Sequence, residues 1–167
     1  MESDLRFDPE TMRARGYDPG AVEVARQARL ANDKAASLIE KIEAAFVNIP
    51  RPRITLRVAR GFDDEWHLSE EKGREYASQD PELDWREVSD IKIETYQEYF
   101  TFGDDEGRRF YLPAFLRHYL HEFPYCGHDT VYWACTKPEQ FGALTLEQTE
   151  CVKEFMELCY EFRELSR

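Results

Sequence analysis

The sequence predicts a predominantly helical α+β fold, in which one compact domain carries a long N-terminal helix and a small antiparallel hairpin. Three observations support this prediction: helix-capping residues recur before apolar runs, the segment after Pro19 lacks proline for thirty residues, and aromatic residues flank a glycine-containing acidic turn near residue 105. The 167 residues are 42% hydrophobic, 34% charged and 14% aromatic, which is typical of a single globular domain.

Two Asp-Pro pairs predict the first helices. Aspartate is a favoured N-cap and proline fits the first helical position. Asp8-Pro9 therefore predicts a short helix to Arg15. Asp18-Pro19 predicts a second helix of about 40 Å that reaches Phe46.

The first half of this long helix has a small apolar face, made mainly of alanine and valine. Such a face buries little area, so it either lies lightly on the domain or is covered by a partner. We therefore expect residues 1–34 to be a helical N-terminal extension and residues 35–167 to be a single globular α+β domain. A second copy of the chain is one candidate partner, which would make a homo-oligomer through residues 19–34.

Two later segments carry signals for β-structure. Ile54–Val58 alternates and is rich in β-branched residues, which favours a short strand; an early helical turn is the alternative. In Tyr99–Leu112, aromatic runs surround Gly103–Gly107, which favours a β-hairpin. The alternative is a helix that begins at Glu106 and runs on through Pro113.

Amphipathic helices complete the predicted core. Phe115, Tyr119 and Phe123 recur every fourth residue, which is the spacing of one helix face. Thr145 and Gln148 form a capping box that opens a final helix. We expect the aromatic residues between 96 and 133 to pack in the core rather than to stack on nucleotide bases, because few basic residues accompany them.

The net charge of −12 is concentrated in residues 61–106, which carry 16 acidic and four basic side chains. This surface would repel nucleic acid, since phosphate binding needs clustered lysine and arginine. The leading hypothesis is a non-enzymatic module that binds a basic protein partner, in the way that acidic immunity proteins or antitoxins block a basic active site. The candidate partner-binding residues are Asp63, Asp64, Glu65, Glu70, Glu71, Asp104, Asp105 and Glu106.

Histidines near residue 120 support an alternative hypothesis, a metal-binding protein or hydrolase. His118 and His121 lie three residues apart and can share a helix face, and His128 or Cys126 from the following loop could complete a Zn²⁺ site. The order H-x-x-H-E differs from the H-E-x-x-H of zinc proteases. No other cofactor is expected, and Zn²⁺ is the one candidate.

The sequence has no phosphate-binding P-loop, no dinucleotide fingerprint and no nucleophile elbow. The lack of a complete catalytic motif favours a non-enzymatic protein. The N-terminal residues lack the features of a secretory signal, and no apolar run is long enough to span a membrane. We therefore expect a cytoplasmic protein with no membrane partner.

The segment Arg109–Phe115 resembles the hallmark of an uncharacterised bacterial domain family, a Phe-Tyr-Leu-Pro-Ala-Phe block between two helices. Weaker similarities are the pair Ile42 and Phe46 upstream and the pair Leu144 and Gln148 downstream. Together they span residues 38–162. The resemblance implies a single bacterial cytoplasmic domain, and because that family has no established activity, it implies no catalytic residue.

Overall fold

A computed structural model describes residues 8–65 and 67–165, and the described chain is helical. No strand occurs in these two ranges, so the predicted α+β class is wrong. Two short 3-10 helices, Trp85–Glu87 and Pro138–Phe141, accompany the α-helices. The α-helices are α1 (Pro9–Ala14), α2 (Pro19–Ala45), α3 (Leu56–Asp64), α4 (Glu70–Ser78), α5 (Asp90–Thr95), α6 (Tyr99–Phe102), α7 (Asp105–Glu122), α8 (Thr130–Cys135) and α9 (Leu146–Glu161).

The predicted hairpin at Tyr99–Leu112 is replaced by α6 and the first half of α7. Asp104 is the N-cap of α7, because its carboxylate accepts a hydrogen bond from the Gly107 amide at 2.8 Å. A Cβ at Gly103 would lie 2.8 Å from the Tyr99 ring, and one at Gly107 would overlap the Tyr99 hydroxyl. The two glycines therefore make room for a buried tyrosine at a helix start, and they do not mark a hairpin turn.

The predicted strand at Ile54–Val58 is the start of α3. Thr55 has the extended backbone of an N-cap residue, and Leu56 and Val58 are buried on the inner side of the helix. The Ile54 carbonyl accepts a hydrogen bond from the Tyr99 hydroxyl at 2.8 Å. Core packing has thus outweighed the β-propensity of this short run.

Helix α7 lies at the centre of the core. All seven residues at 110–116 are buried, and the helix packs against α2, α5 and α8. The stretch 110–116 is apolar on every side of the helix, so it has no amphipathic periodicity, and its aromatic run resembles a strand. Pro113 lies inside this helix, as the alternative reading required.

Side chains from other elements cap the C-terminal end of α2. The carbonyl of Phe46 accepts from the Trp85 indole at 2.7 Å, and the carbonyl of Ala45 accepts from the Gln148 amide at 3.0 Å. These carbonyls have no partner inside the helix, so the capping satisfies groups that burial would otherwise leave unpaired. Gln148 also completes the predicted capping box of α9 with Thr145, which is confirmed.

The two N-terminal helices are confirmed with their aspartate caps, Asp8 and Asp18. Helix α2 passes through residue 34 without a break, and Ala31 and Ala35 are almost fully buried on its inner side. The domain boundary at residue 34 stays a prediction. None of the helices within 8–65 and 67–165 has an apolar stretch that could cross a membrane.

A buried carboxylate fixes the position of α5. Asp80 has no exposed side-chain surface, and it accepts hydrogen bonds from the Arg57 amide at 2.8 Å and from the Lys92 ammonium at 2.9 Å. Burial alone would lower the pKa of Lys92, but hydrogen bonds to Glu82 and Asp80 outweigh it and raise that pKa. Lys92 therefore links α5, through Asp80, to the start of α3. The opposite side of α5 packs against α7.

Gly107→Ala should destabilise the protein by about 1–3 kcal/mol, because the added methyl group forces Tyr99 out of its place. Gly142→Ala is the matched control, since a Cβ there has no neighbour within 4 Å. Urea unfolding of both variants measures the effect. Equal stability of the two would contradict the packing of Tyr99 against the start of α7.

Candidate metal centre

Carboxylates and an imidazole converge where α5 faces α7. Asp90 and Glu94 lie one turn apart on α5, and His118 and Glu122 lie one turn apart on α7, so each pair shares one face of its helix. One nitrogen of His118 and one carboxylate oxygen each from Glu94 and Glu122 lie within 4.8 Å of one another. This is the spacing of groups that could bind one ion.

Asp90 sets the orientation of the His118 ring. Its carboxylate lies 2.8 Å from Nδ1, so this nitrogen donates the hydrogen bond and Nε2 of the neutral ring keeps its lone pair. Carboxylate–histidine pairs of this kind hold metal-binding imidazoles in place and make them more basic.

The free nitrogen of His118 is buried. The side chain is only 7% exposed, and Nε2 has no hydrogen-bond partner in the described structure. The nearest carboxylate oxygen, from Glu94, is 3.9 Å away, which is too far for a hydrogen bond. A buried nitrogen without a partner is costly, and a cation between it and the carboxylates would satisfy it.

A second imidazole lies beside this cluster. His128 is half-buried in the turn after α7, and its ring centre lies 6.4 Å from that of His118, with the planes inclined by 33°. The Cys126 thiol donates to the His128 carbonyl at 3.1 Å and accepts from its amide at 3.4 Å. Burial raises the pKa of Cys126, which keeps it a thiol and disfavours a nucleophilic role.

His121 lies elsewhere. It is exposed in the last turn of α7, and the group of atoms within 4.8 Å includes His118 but neither His121 nor His128. Sequence reasoning placed three histidines in the site and missed Glu94 and Glu122. The only signal for them is their spacing of four residues from Asp90 and His118, which is common in helices and therefore weak.

The predicted acidic residues occupy two regions, and several of them stabilise the fold. Glu65 binds Lys72 at 2.6 Å and accepts from the Tyr76 hydroxyl at 2.9 Å, and Asp104 caps α7. Glu65 has a lowered pKa because of its hydrogen bonds with Lys72 and Tyr76. The exposed members are Asp63 and Asp64 at the end of α3, Glu70 and Glu71 in the first turn of α4, and Asp105 and Glu106 in the first turn of α7.

The predicted association surface at residues 19–34 is partly covered within the chain. Val22 is buried, and α1 packs along α2. Val24 and Leu30 remain 50% and 42% exposed on α2. Self-association through this segment stays a prediction.

A family model of unknown function, DUF6714, matches residues 34–167. No curated protein and no solved structure is similar enough to match the chain. The match agrees with the uncharacterised domain expected from residues 38–162, while the Phe-Tyr-Leu-Pro-Ala-Phe hallmark and a bacterial source stay predictions. Since the match covers most of its length, the chain belongs to DUF6714, a family of unknown function.

Proposed function

We propose that this protein binds one divalent metal ion through Glu94, His118 and Glu122. The observation that carries the proposal is the buried, unpartnered Nε2 of His118, which shares a small volume with two carboxylate oxygens. The acidic cluster alone would be ordinary surface charge. The buried and oriented imidazole adds a nitrogen ligand, which is not a feature of an ordinary solvated acidic surface.

Electrostatics also favours a cation at this position. Asp90 and Glu94 bring two carboxylates to the same imidazole, and Glu122 brings a third group of the same charge. Like charges held close together repel, and a divalent ion between them removes this penalty. An ion present at 100 times its dissociation constant would add about 2.7 kcal/mol to the free energy of unfolding.

Three protein ligands leave a coordination position for water. Glu94 is 46% exposed, so the centre lies at the surface, where a small molecule could reach it. A bound Zn²⁺ would lower the pKa of such a water to about 7, which is the chemistry of metal-assisted hydrolysis. The proposal is therefore metal binding, and hydrolysis would require that this fourth position stays open to water.

Calorimetric titration with Zn²⁺ of protein purified without a histidine tag tests the proposal. We expect one ion per chain, and at least a 100-fold loss of affinity in His118→Ala. Asp90→Asn should lose about 10–100-fold, because it removes the group that orients the ring. His121→Ala is the control and should bind like the wild type. Failure of the wild type to bind, or equal binding by His118→Ala, would refute the metal centre.

A second candidate function is the acidic protein-binding surface. Its support is specific to the α3–α4 region: Phe62 is 42% exposed, and the neighbouring Asp63 and the nearby Glu71 have no hydrogen bond or ion pair within the described residues. An exposed aromatic ring beside unpaired carboxylates fits a basic protein partner, such as the active site of a toxin.

Charge neutralisation in this region tests that candidate. The triple variant Asp63→Asn, Asp64→Asn, Glu71→Gln should lose a basic partner that the immobilised wild type retains from its source lysate at low salt. The same partner should be released at 1 M salt, where the Debye length falls to about 3 Å. Identical sets of retained proteins on the wild type and the variant would argue against a docking role for these carboxylates.

A further inference from the structure

We infer that His128 is a fourth ligand of the same centre, and that the centre therefore takes a Zn²⁺-like transition metal rather than Mg²⁺ or Ca²⁺. This inference rests on the proposed metal centre and adds the identity of the ion. It depends on the position of His128, on the absence of hydrogen-bond partners for its ring within the described residues, and on the donor atoms nearby.

The position of His128 is close to that of a shared ligand. A Zn–N bond of about 2.0–2.1 Å puts the centres of two imidazoles on one tetrahedral ion about 5 Å apart, and on opposite sides of the ion about 6.4 Å apart. The centres of His118 and His128 are 6.4 Å apart. This separation is about 1 Å longer than two ligands of one tetrahedral ion require, and His128 is not in the group of atoms within 4.8 Å, so His128 has to move toward His118 when the ion binds.

The His128 ring has no other use in the described structure. The ring lies beside that of His118, and within 8–65 and 67–165 neither of its nitrogens has a hydrogen bond or an ion pair. By contrast, the backbone of His128 is held at both its amide and its carbonyl by Cys126. A residue with a fixed backbone and an unpaired ring, half-buried beside a metal-binding imidazole, is suited to bind an incoming ion.

The donor atoms then select the ion. Two imidazole nitrogens and two carboxylate oxygens, from Glu94 and Glu122, form a four-ligand set that suits Zn²⁺ and its neighbours, and His128 then fills the position that three ligands would leave to water. Ca²⁺ takes six to eight oxygens and Mg²⁺ prefers oxygen ligands in an octahedron, so two imidazoles disfavour both. Cys126 adds no thiolate, because its thiol donates to the His128 carbonyl.

Titration with Co²⁺, followed by visible absorption, tests this inference. We expect the wild type to give the strong bands of a four-coordinate ion, saturating at one per chain and unaffected by excess Mg²⁺. His128→Ala should bind at least tenfold more weakly and give the weaker bands of a higher-coordinate ion. His121→Ala should match the wild type. Thermal unfolding of the ion-free proteins checks that the variants are folded, and His128→Gln serves as a second variant if the alanine protein is not.

The outcomes separate the two proposals. If the wild type binds no Co²⁺, the metal centre itself fails. If the wild type binds and the His128 variants have the same affinity and the same spectrum, the centre stands and the role of His128 is wrong. Displacement of Co²⁺ by Mg²⁺ in the wild type would overturn the assignment of the ion.

Discussion

Replacing Trp85 by alanine should lower the free energy of unfolding by about 3–5 kcal/mol, the range for removing a large buried aromatic side chain. Trp85 is 1% exposed and caps the end of α2 through the Phe46 carbonyl. The guanidinium groups of Arg86 and Arg117 lie 4.8 and 4.9 Å from its ring centre. The variant therefore loses apolar burial, a capping hydrogen bond and two cation–π contacts. Urea unfolding monitored by circular dichroism measures the change.

Two controls separate these contributions. Trp85→Phe keeps an aromatic ring but leaves the Phe46 carbonyl without its donor, and it should cost about 1–3 kcal/mol. Trp133→Ala removes the same side chain from a position that is 57% exposed, and it should cost less than about 1 kcal/mol. A Trp85→Ala protein as stable as Trp133→Ala would contradict the placement of Trp85 in the core.

Replacing Asp80 by alanine should also cost about 3–5 kcal/mol, because it removes a fully buried carboxylate that pairs with Lys92 and accepts from the Arg57 amide. The Lys92 ammonium, whose side chain is 20% exposed, would keep only Glu82, and the Arg57 amide would lose its acceptor. Since Lys92 is on α5, the variant should also loosen the helix that carries Asp90. We therefore expect the metal affinity to fall as well.

Asp63→Ala is the control for this variant, since Asp63 is exposed and makes no ion pair in the described structure. It should change the stability by no more than about 0.5 kcal/mol. Denaturant unfolding gives the stability of both proteins, and Zn²⁺ titration gives their metal affinity. If Asp80→Ala were as stable as Asp63→Ala, the buried carboxylate would not be what holds α5 in place.

Helix termini that carry strong local signals could be predicted from the sequence. Asp8, Asp18 and the Thr145–Gln148 capping box satisfy backbone amides within a few residues, so the pattern alone identifies them. The prediction of a hairpin at 99–112 was wrong because the interactions that determine the structure of this segment are not local. Gly107 is needed for the distant packing of Tyr99 on Ile54, and the stretch 110–116, which is buried on every side, has no amphipathic period.

The candidate site was only partly predictable for the same reason. His118 was predicted from its helical spacing to His121, and His128 from its place in the following loop; the structure places the rings of His118 and His128 side by side. Glu94 and Glu122 are two of 34 acidic residues, and nothing local distinguishes them. Their role depends on the packing of α5 against α7, which Lys92 and Asp80 stabilise from the far side of α5.

Anomalous X-ray diffraction from crystals grown with Zn²⁺ tests the central claim most directly, because it locates the ion. We predict one peak per chain about 2.0–2.1 Å from Nε2 of His118, with carboxylate oxygens of Glu94 and Glu122 beside it. No peak between α5 and α7, or a peak only at exposed His121, would contradict the account.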